Sequence, residues 1–286
     1  MAFTRYPGAT NRTTDFTSSG TWTCPSGVYS AEFFVVGAGG GGGGTGGNGA
    51  TDRTACGGGG GGAVKRVTLA TTPGTSYTIT IGAKGTGGAN NPGNNGGTTL
   101  VALSGTTLIS CWGGQGGSGY VTGTRTFPTA ALTIAGGGGN AETSTGTIVN
   151  AGGGGGAFPF IPNTYNLMAR QTEYATPGEG SPGGTRSSVL TTARYSTPGA
   201  MGIDGYGAGG GGGQVQDAGP AVGNNIGGSI FAGNGGYRTS AGSSAGGSAV
   251  ANTGCGGGGA AQHNTATTTI AGGDGADGLV RITYFA

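Results

Sequence analysis

Charge is scarce in this chain. Lysine and arginine number 12, aspartate and glutamate 10, so charged residues make up 8% of 286 and the formal net charge is +2. No basic cluster occurs anywhere along it. Nucleic acid is therefore not an expected partner, because phosphate binding needs concentrated positive charge. No apolar stretch approaches the roughly 18–20 residues that span a bilayer, and the opening MAFTRYPGATNRTT has no apolar signal core. The expectation is a soluble protein made in a cytoplasm, with no membrane insertion and no export signal. Histidine occurs once, at His263, and Cys24, Cys56, Cys111 and Cys255 include no C-x-x-C pair. That argues against a metal site and for four buried thiols. A second reading pairs Cys56 with Cys255, since each immediately precedes a glycine run. Helical three-to-four periodicity is missing as well, which points to an all-β chain.

What the chain has instead is glycine, 76 residues of it beside 11 prolines. Much of it falls in six uninterrupted runs, Gly39–Gly44, Gly57–Gly62, Gly136–Gly139, Gly152–Gly156, Gly209–Gly213 and Gly256–Gly259. Glycine loses more freedom on ordering than other residues, roughly 0.5–1 kcal/mol beyond alanine. Either the runs are disordered or they pack in a way that only glycine permits. Low charge and 33% hydrophobic residues favour order, because disordered chains combine high charge with few aromatic and β-branched residues. A polyproline-II helix has three residues per turn and rises about 3.1 Å per residue. Without side chains its N–H and C=O groups can pair with lateral neighbours, so a hexagonal bundle of glycine helices is the folded state that suits this composition. Collagen is excluded, since no strict G-X-Y period exists.

Strand signals fall at Tyr29–Val36, Val64–Ala70, Ser76–Ile81, Thr98–Leu103 with Thr107–Cys111, and Leu279–Phe285, which are rich in β-branched and aromatic residues, many at period two. Thr72-Pro-Gly-Thr75 reads as a hairpin turn between the second and third of these. Trp22 and Trp112 lie in strand-like contexts and are expected in the core. A weak repeat, Thr-Ile-Ala-Gly-Gly within Leu132–Gly139 and Thr268–Gly273, implies stacked copies of one unit.

Chemical motifs are few. No G-x-G-x-x-G is followed by the G-K-[ST] of a phosphate loop, so no nucleotide or other cofactor is expected. Gly272–Val280, GGDGADGLV, fits one calcium-binding nonapeptide, but such sites share ions between tandem copies and only one copy is present. Asp274 and Asp277 are accordingly read as loop acids. No nucleophile flanks His263, and Glu142, Glu173, Glu179, Asp204 and Asp217 show no pairing suited to cutting glycosidic bonds. An enzyme is not expected. Two insertions break the glycine pattern, 120–128 and 157–206. Loops on a rigid scaffold are where binding usually resides. Tyr120, Arg125, Phe127, Phe158, Phe160, Tyr165, Arg170, Tyr174, Arg194 and Tyr195 are the candidate contact residues. For Phe158, Phe160 and Ile161 a small satellite core under the loop is an equal reading.

Phe16–Gly44, FTSSGTWTCPSGVYSAEFFVVGAGGGGGG, resembles the start of a glycine-rich domain common in bacteriophage virion proteins. Gly57–Gly82 and the closing Gly272–Phe285 resemble its middle and its last strand, so the likeness covers residues 16–286. The architecture is also similar to the glycine-rich segment of the anaplastic lymphoma kinase and leukocyte tyrosine kinase receptors, and to glycine-sandwich adhesins at phage tail-fibre tips. These resemblances imply a jelly-roll, tumour-necrosis-factor-like β-sandwich carrying a polyglycine-II bundle, with a homo-trimer by analogy. Residues 1–15 would form an N-terminal arm. Residues 16–286 would form one glycine-rich domain, its sandwich strands drawn from 16–36, 64–111 and 279–285. The implied role is a virion structural protein, an adhesin of the tail or tail fibre that meets other virion proteins and a host surface receptor such as a glycan. The alternative is a capsid decoration protein that cements coat subunits through its arm.

Overall fold

A computed structural model of the chain describes residues 10–46, 53–121, 124–126, 136, 138–139, 141–144, 148–151, 153–156, 199–216, 226–238, 242–263 and 269–286. In chain order its strands begin with β1 (Asn11–Phe16), β2 (Gly20–Thr23), β3 (Ser30–Val36), β4 (Thr45–Gly46), β5 (Arg53–Ala55) and β6 (Val64–Ala70). They continue with β7 (Ser76–Thr80), β8 (Thr99–Leu103), β9 (Thr106–Cys111), β10 (Gly119–Val121), β11 (Thr124–Thr126) and β12 (Glu142–Ser144). The last are β13 (Ile148–Asn150), β14 (Gln214–Gln216), β15 (Tyr237–Arg238), β16 (Gly242–Ser244), β17 (Ala261–His263) and β18 (Leu279–Phe285). The described residues contain no helix, hence none long and apolar enough to cross a membrane.

The strands expected from period-two patterning, joined by β2 and by β1, whose residues 11–15 the sequence reading placed in an N-terminal arm, build a sandwich of two four-stranded antiparallel sheets, β1-β18-β3-β6 and β2-β7-β8-β9. Alternation turns Phe33 and Val35 of β3, and Val280 and Ile282 of β18, toward Tyr77, Ile79, Val101 and Ile109 of the facing sheet. Trp22 sits at the centre, 5.7 Å edge-on from Phe33 and 5.4 Å from Tyr77. The other face of β3 is covered too. Phe34, Val36 and Leu279 pack under Tyr206, whose ring lies 5.2 Å from that of Phe34.

Beyond β3 the chain becomes a glycine run with threefold hydrogen bonding. The amides of Gly37, Gly40 and Gly43 donate to the carbonyls of Ala63, Gly60 and Gly57. Those of Ala38, Gly41 and Gly44 donate to Gly97, Asn94 and Asn91, and those of Gly39, Gly42 and Thr45 to Ala276, Gly273 and Ile270. All nine distances lie between 2.8 and 3.1 Å. Every third residue thus addresses the same antiparallel neighbour, which is the period of a polyproline-II helix. Three parallel neighbours donate in return: Gly114, Gly117 and Tyr120 to Ala38, Gly41 and Gly44; Gly85 and Gly88 to Gly39 and Gly42; Gly257 and Ala260 to Gly40 and Gly43. The run at 37–45 is therefore the centre of a hexagonal polyglycine-II bundle with six neighbours.

Strands and runs form one continuous pairing. Val36 opposite Val64 in the sheet is followed by Gly37 opposite Ala63 in the bundle, without a change of register. At the far side, Cys56 opposite Ala260 continues as Ala55 opposite Ala261. There the chain widens into three small sheets, β11-β10-β4, β12-β5-β17-β16 and β13-β14-β15. The bundle thus stands between a sandwich pole and a pole of short strands.

Three expectations change. Thr72–Thr75 is a turn, with Gly74 at φ +80° and the Thr75 amide bonded to the Thr72 carbonyl, but β6 and β7 lie in different sheets. Proline followed by a left-handed glycine gives a type II turn, which splays strands that a hairpin would keep together. It carries the chain across the sandwich. Trp112 lies at the sandwich–bundle junction and is half-buried, outside the core. Cys56 and Cys255 do lie on neighbouring runs, but those runs are antiparallel, with the Cys56 amide on Ala260 and that of Gly62 on Gly254. The two cysteines are then five residues apart along the bundle, about 15 Å at 3.1 Å per residue, where a disulfide needs Cα atoms within about 7 Å. All four thiols are free and buried, and burial pushes those of Cys56 and Cys111 up to about 12.

Close approach leaves no room for a side chain at most glycine positions of the bundle. A Cβ on Gly40 would lie 2.1 Å from the Gln115 carbonyl oxygen, and one on Gly59 2.2 Å from that of Gly40. A Cβ on Gly20, at the edge of the sandwich, would meet the Phe16 ring at an ordinary 3.5 Å. Gly40→Ala should lower unfolding stability by at least about 3 kcal/mol or prevent folding, because only backbone could move aside. Gly20→Ala should stay within about 1 kcal/mol of the parent in the same urea titration.

Candidate functional surface

The calcium-like nonapeptide has a different use. In the run at 271–278, Asp274 and Asp277 are three residues apart, one turn of a polyproline-II helix, and so share a face. That face meets the run at 82–88. Asp274 accepts from Lys84 Nζ at 2.7 Å and from the Gly87 amide at 2.9 Å, while Asp277 accepts from the Lys84 amide at 2.8 Å. The carboxylates take the place of a missing neighbour helix and satisfy amides at the bundle's edge. The Lys84 ammonium, helped by the Gly87 N–H, holds the Asp274 carboxyl below its ordinary range. Among the described residues no group of three or more histidines, cysteines and acids could hold a metal ion.

Other edges are finished in the same way. Asn95 Oδ1 accepts from the Gly116 amide, Gln115 Oε1 from Gly138, and Asn234 Oδ1 from Gly227, at 2.9–3.1 Å. Segments such as Trp112-Gly-Gly-Gln-Gly-Gly-Ser118 and Ala271-Gly-Gly-Asp274 are therefore bundle helices that the search for pure glycine runs passes over. Their signal is Gly-Gly-X at period three.

Of the candidate contact residues, Tyr120 is brought inside. It is 3% exposed and packs with Cys56, Ala260 and Ile270. The reason is that its amide still donates to Gly44, so it ends a bundle run and keeps that run's inward direction. Arg125 lies on β11 opposite Tyr120 in the pairing with β10. Phe127, Phe158, Phe160, Tyr165, Arg170, Tyr174, Arg194 and Tyr195 lie outside the described residues. The residues that flank the second insertion are described. Gly155 is level with Gly61, whose amide bonds to it at 2.8 Å, and Ala200 is bonded to Gly154 at 2.9 Å. Of the insertion at 157–206, residues 199–206 are described, and Gly155 and Ala200 both lie on the flank of the bundle, in its sandwich half.

The pole of short strands has a polar interior that sequence patterning missed. Thr45, Arg53, Thr54, Gln214, Gln262 and His263 are all buried there, and Thr45 Oγ1 donates to Gln262 Oε1 at 2.9 Å. In strands of two or three residues, period-two patterning has too few positions to register.

A family model described as a glycine-rich domain matches residues 13–285, which run from within β1 to the end of β18. The chain belongs to this glycine-rich domain family. No curated protein matches it. The match begins at residue 13, within the residues 1–15 read as an arm, and ends at 285.

The edge carboxylates make the domain sensitive to acid. Asp15, bonded twice to Arg281 at 2.8 Å, is held below its ordinary range as Asp274 is. Depressed folded values mean that these contacts stabilise fully above the unfolded value of about 3.9 and are lost as pH falls through the lower folded value. Asp274→Asn should lower the urea midpoint at pH 7, and the gap to the parent should close as the pH is taken from about 5 toward 2. A gap that stays constant with pH would show that the ion pair contributes nothing.

Proposed function

We propose that this glycine-rich domain protein is a structural component of a bacteriophage virion, a non-enzymatic adhesin of the tail or tail fibre that meets a host surface receptor. The observation that carries the reading is the bundle itself, a stiff block of backbone whose lateral hydrogen bonds point six ways and which separates the sandwich from the pole of short strands. Such a block suits a spacer that presents loops at a fixed distance. The likeness of Phe16–Gly44 to the opening of phage virion domains supports the setting. The protein works as a homo-trimer with other virion proteins as neighbours, and binds no cofactor.

Immunogold labelling of intact virions tests the location. Gold at the tail or fibre tips is expected, whereas gold spread over the head would replace this reading by capsid decoration. Light scattering of the purified protein should give three chains per particle; a monomer at micromolar concentration would remove the trimer.

A further inference from the structure

Two glutamines are buried at the pole of short strands, and they are served differently. Gln262 on β17 is 1% exposed, and its Oε1 accepts from Thr45 Oγ1 at 2.9 Å. Gln214 opens β14, where the run at 207–213 ends, and is fully buried. Its main chain is paired. The amide donates to the Gly236 carbonyl at 2.8 Å, and β14 lies between β13 and β15. Its side chain is not, since neither Oε1 nor Nε2 meets a hydrogen-bond partner among the described residues. Buried polar groups of native proteins are paired, and where the protein offers no partner, ordered water does.

We propose that the short-strand pole is a binding site for resident water, which donates to Gln214 Oε1 and accepts from Gln214 Nε2. The chemistry of the side-chain amide selects water. An acceptor and a donor must both be satisfied, so the ligand has to donate and accept. A cation would serve Oε1 and leave Nε2 unpaired, and an anion would do the reverse. The surroundings fit as well. Gly213, the residue before, accepts the Ala151 amide on its carbonyl and donates its own amide to the Cys56 carbonyl, so Ala151 and Ala55 stand on adjoining chains at this level, with Ala261 paired to Ala55. All three are small and buried, so solvent can be admitted without displacing a large side chain. Thr54 on β5, itself buried, and Tyr237, opposite Gln214 in the β14–β15 pairing, carry hydroxyls on strands that adjoin β14. They can complete the coordination of a buried water, which makes about three hydrogen bonds. Water then does at the end of this run what the amides and carbonyls of neighbouring runs do inside the bundle. The proposal is independent of the adhesin reading.

Magnetic relaxation dispersion of water nuclei counts the molecules held inside a folded protein. It is read for the full chain and for Gln214→Met, an apolar side chain of similar length. The expected result is a loss of at least one long-lived water in Q214M. An equal count in the two folded proteins would overturn the proposal, because the amide would then be dry. The urea midpoint separates the same two cases. Losing a hydrated amide lowers it, whereas removing a dry, unpaired amide raises it. Should Q214M fail to fold, the parent alone decides the matter. A high-resolution crystal structure is expected to show water within hydrogen-bond distance of both Gln214 side-chain atoms. A protein group in those places, or an ion on one of them, would overturn the assignment.

Discussion

An amide and a carbonyl presented to a new neighbour every 120° is the interaction on which the rest of this molecule depends. It requires three residues per turn and no Cβ, because the carbonyl of a neighbouring run occupies the space a Cβ would take, about 2 Å away in the case of Gly40. The central run satisfies all nine of its amides from Gly37 to Thr45 in this way. Buried backbone groups cannot be left unpaired, so glycine content and hydrogen-bond geometry are two sides of one constraint. The conformational freedom that glycine gives up is offset by a lattice in which most positions have no room for a Cβ.

The bundle also dictates the sheets at its ends. β3 and β6 pair antiparallel in the register that the runs at 37–44 and 56–63 already share. β4 and β10 pair parallel, an uncommon arrangement for strands so short, because the runs that feed them are parallel neighbours. A strand of two residues would have no stability alone. Here its partner is delivered by the run behind it.

Where the lattice stops, side chains take over its hydrogen bonding. Asp274 and Asp277, Asn95, Asn234 and Gln115 all accept amides that would otherwise face solvent or a void. Side chains such as Ala245 and Ser248 stand on exposed positions. They keep a further run from approaching, much as charges and bulges protect the edge strand of a sheet. A finite bundle follows from the same rule, with polar side chains standing where the lattice ends.

The strands β3, β6–β9 and β18 were legible to within a residue or two, since residues such as Phe33, Val35, Val280 and Ile282 mark one buried face at period two, whereas β1 lay mostly within the residues read as an arm. The bundle was legible from glycine that no other fold would use, and its edges could have been read from Gly-Gly-X spacing. Local sequence could not show that Tyr120 points inward, because its direction is inherited from the run before it. Nor could it show that the Thr72–Thr75 turn joins two sheets. The sequence by itself determined an all-β chain with glycine helices, since composition and period act within a few residues. Which runs are neighbours, which pole holds the chain ends, and why Asp274 faces Lys84 across 190 residues were decided by tertiary structure, because lateral hydrogen bonds between runs carry no local sequence signal.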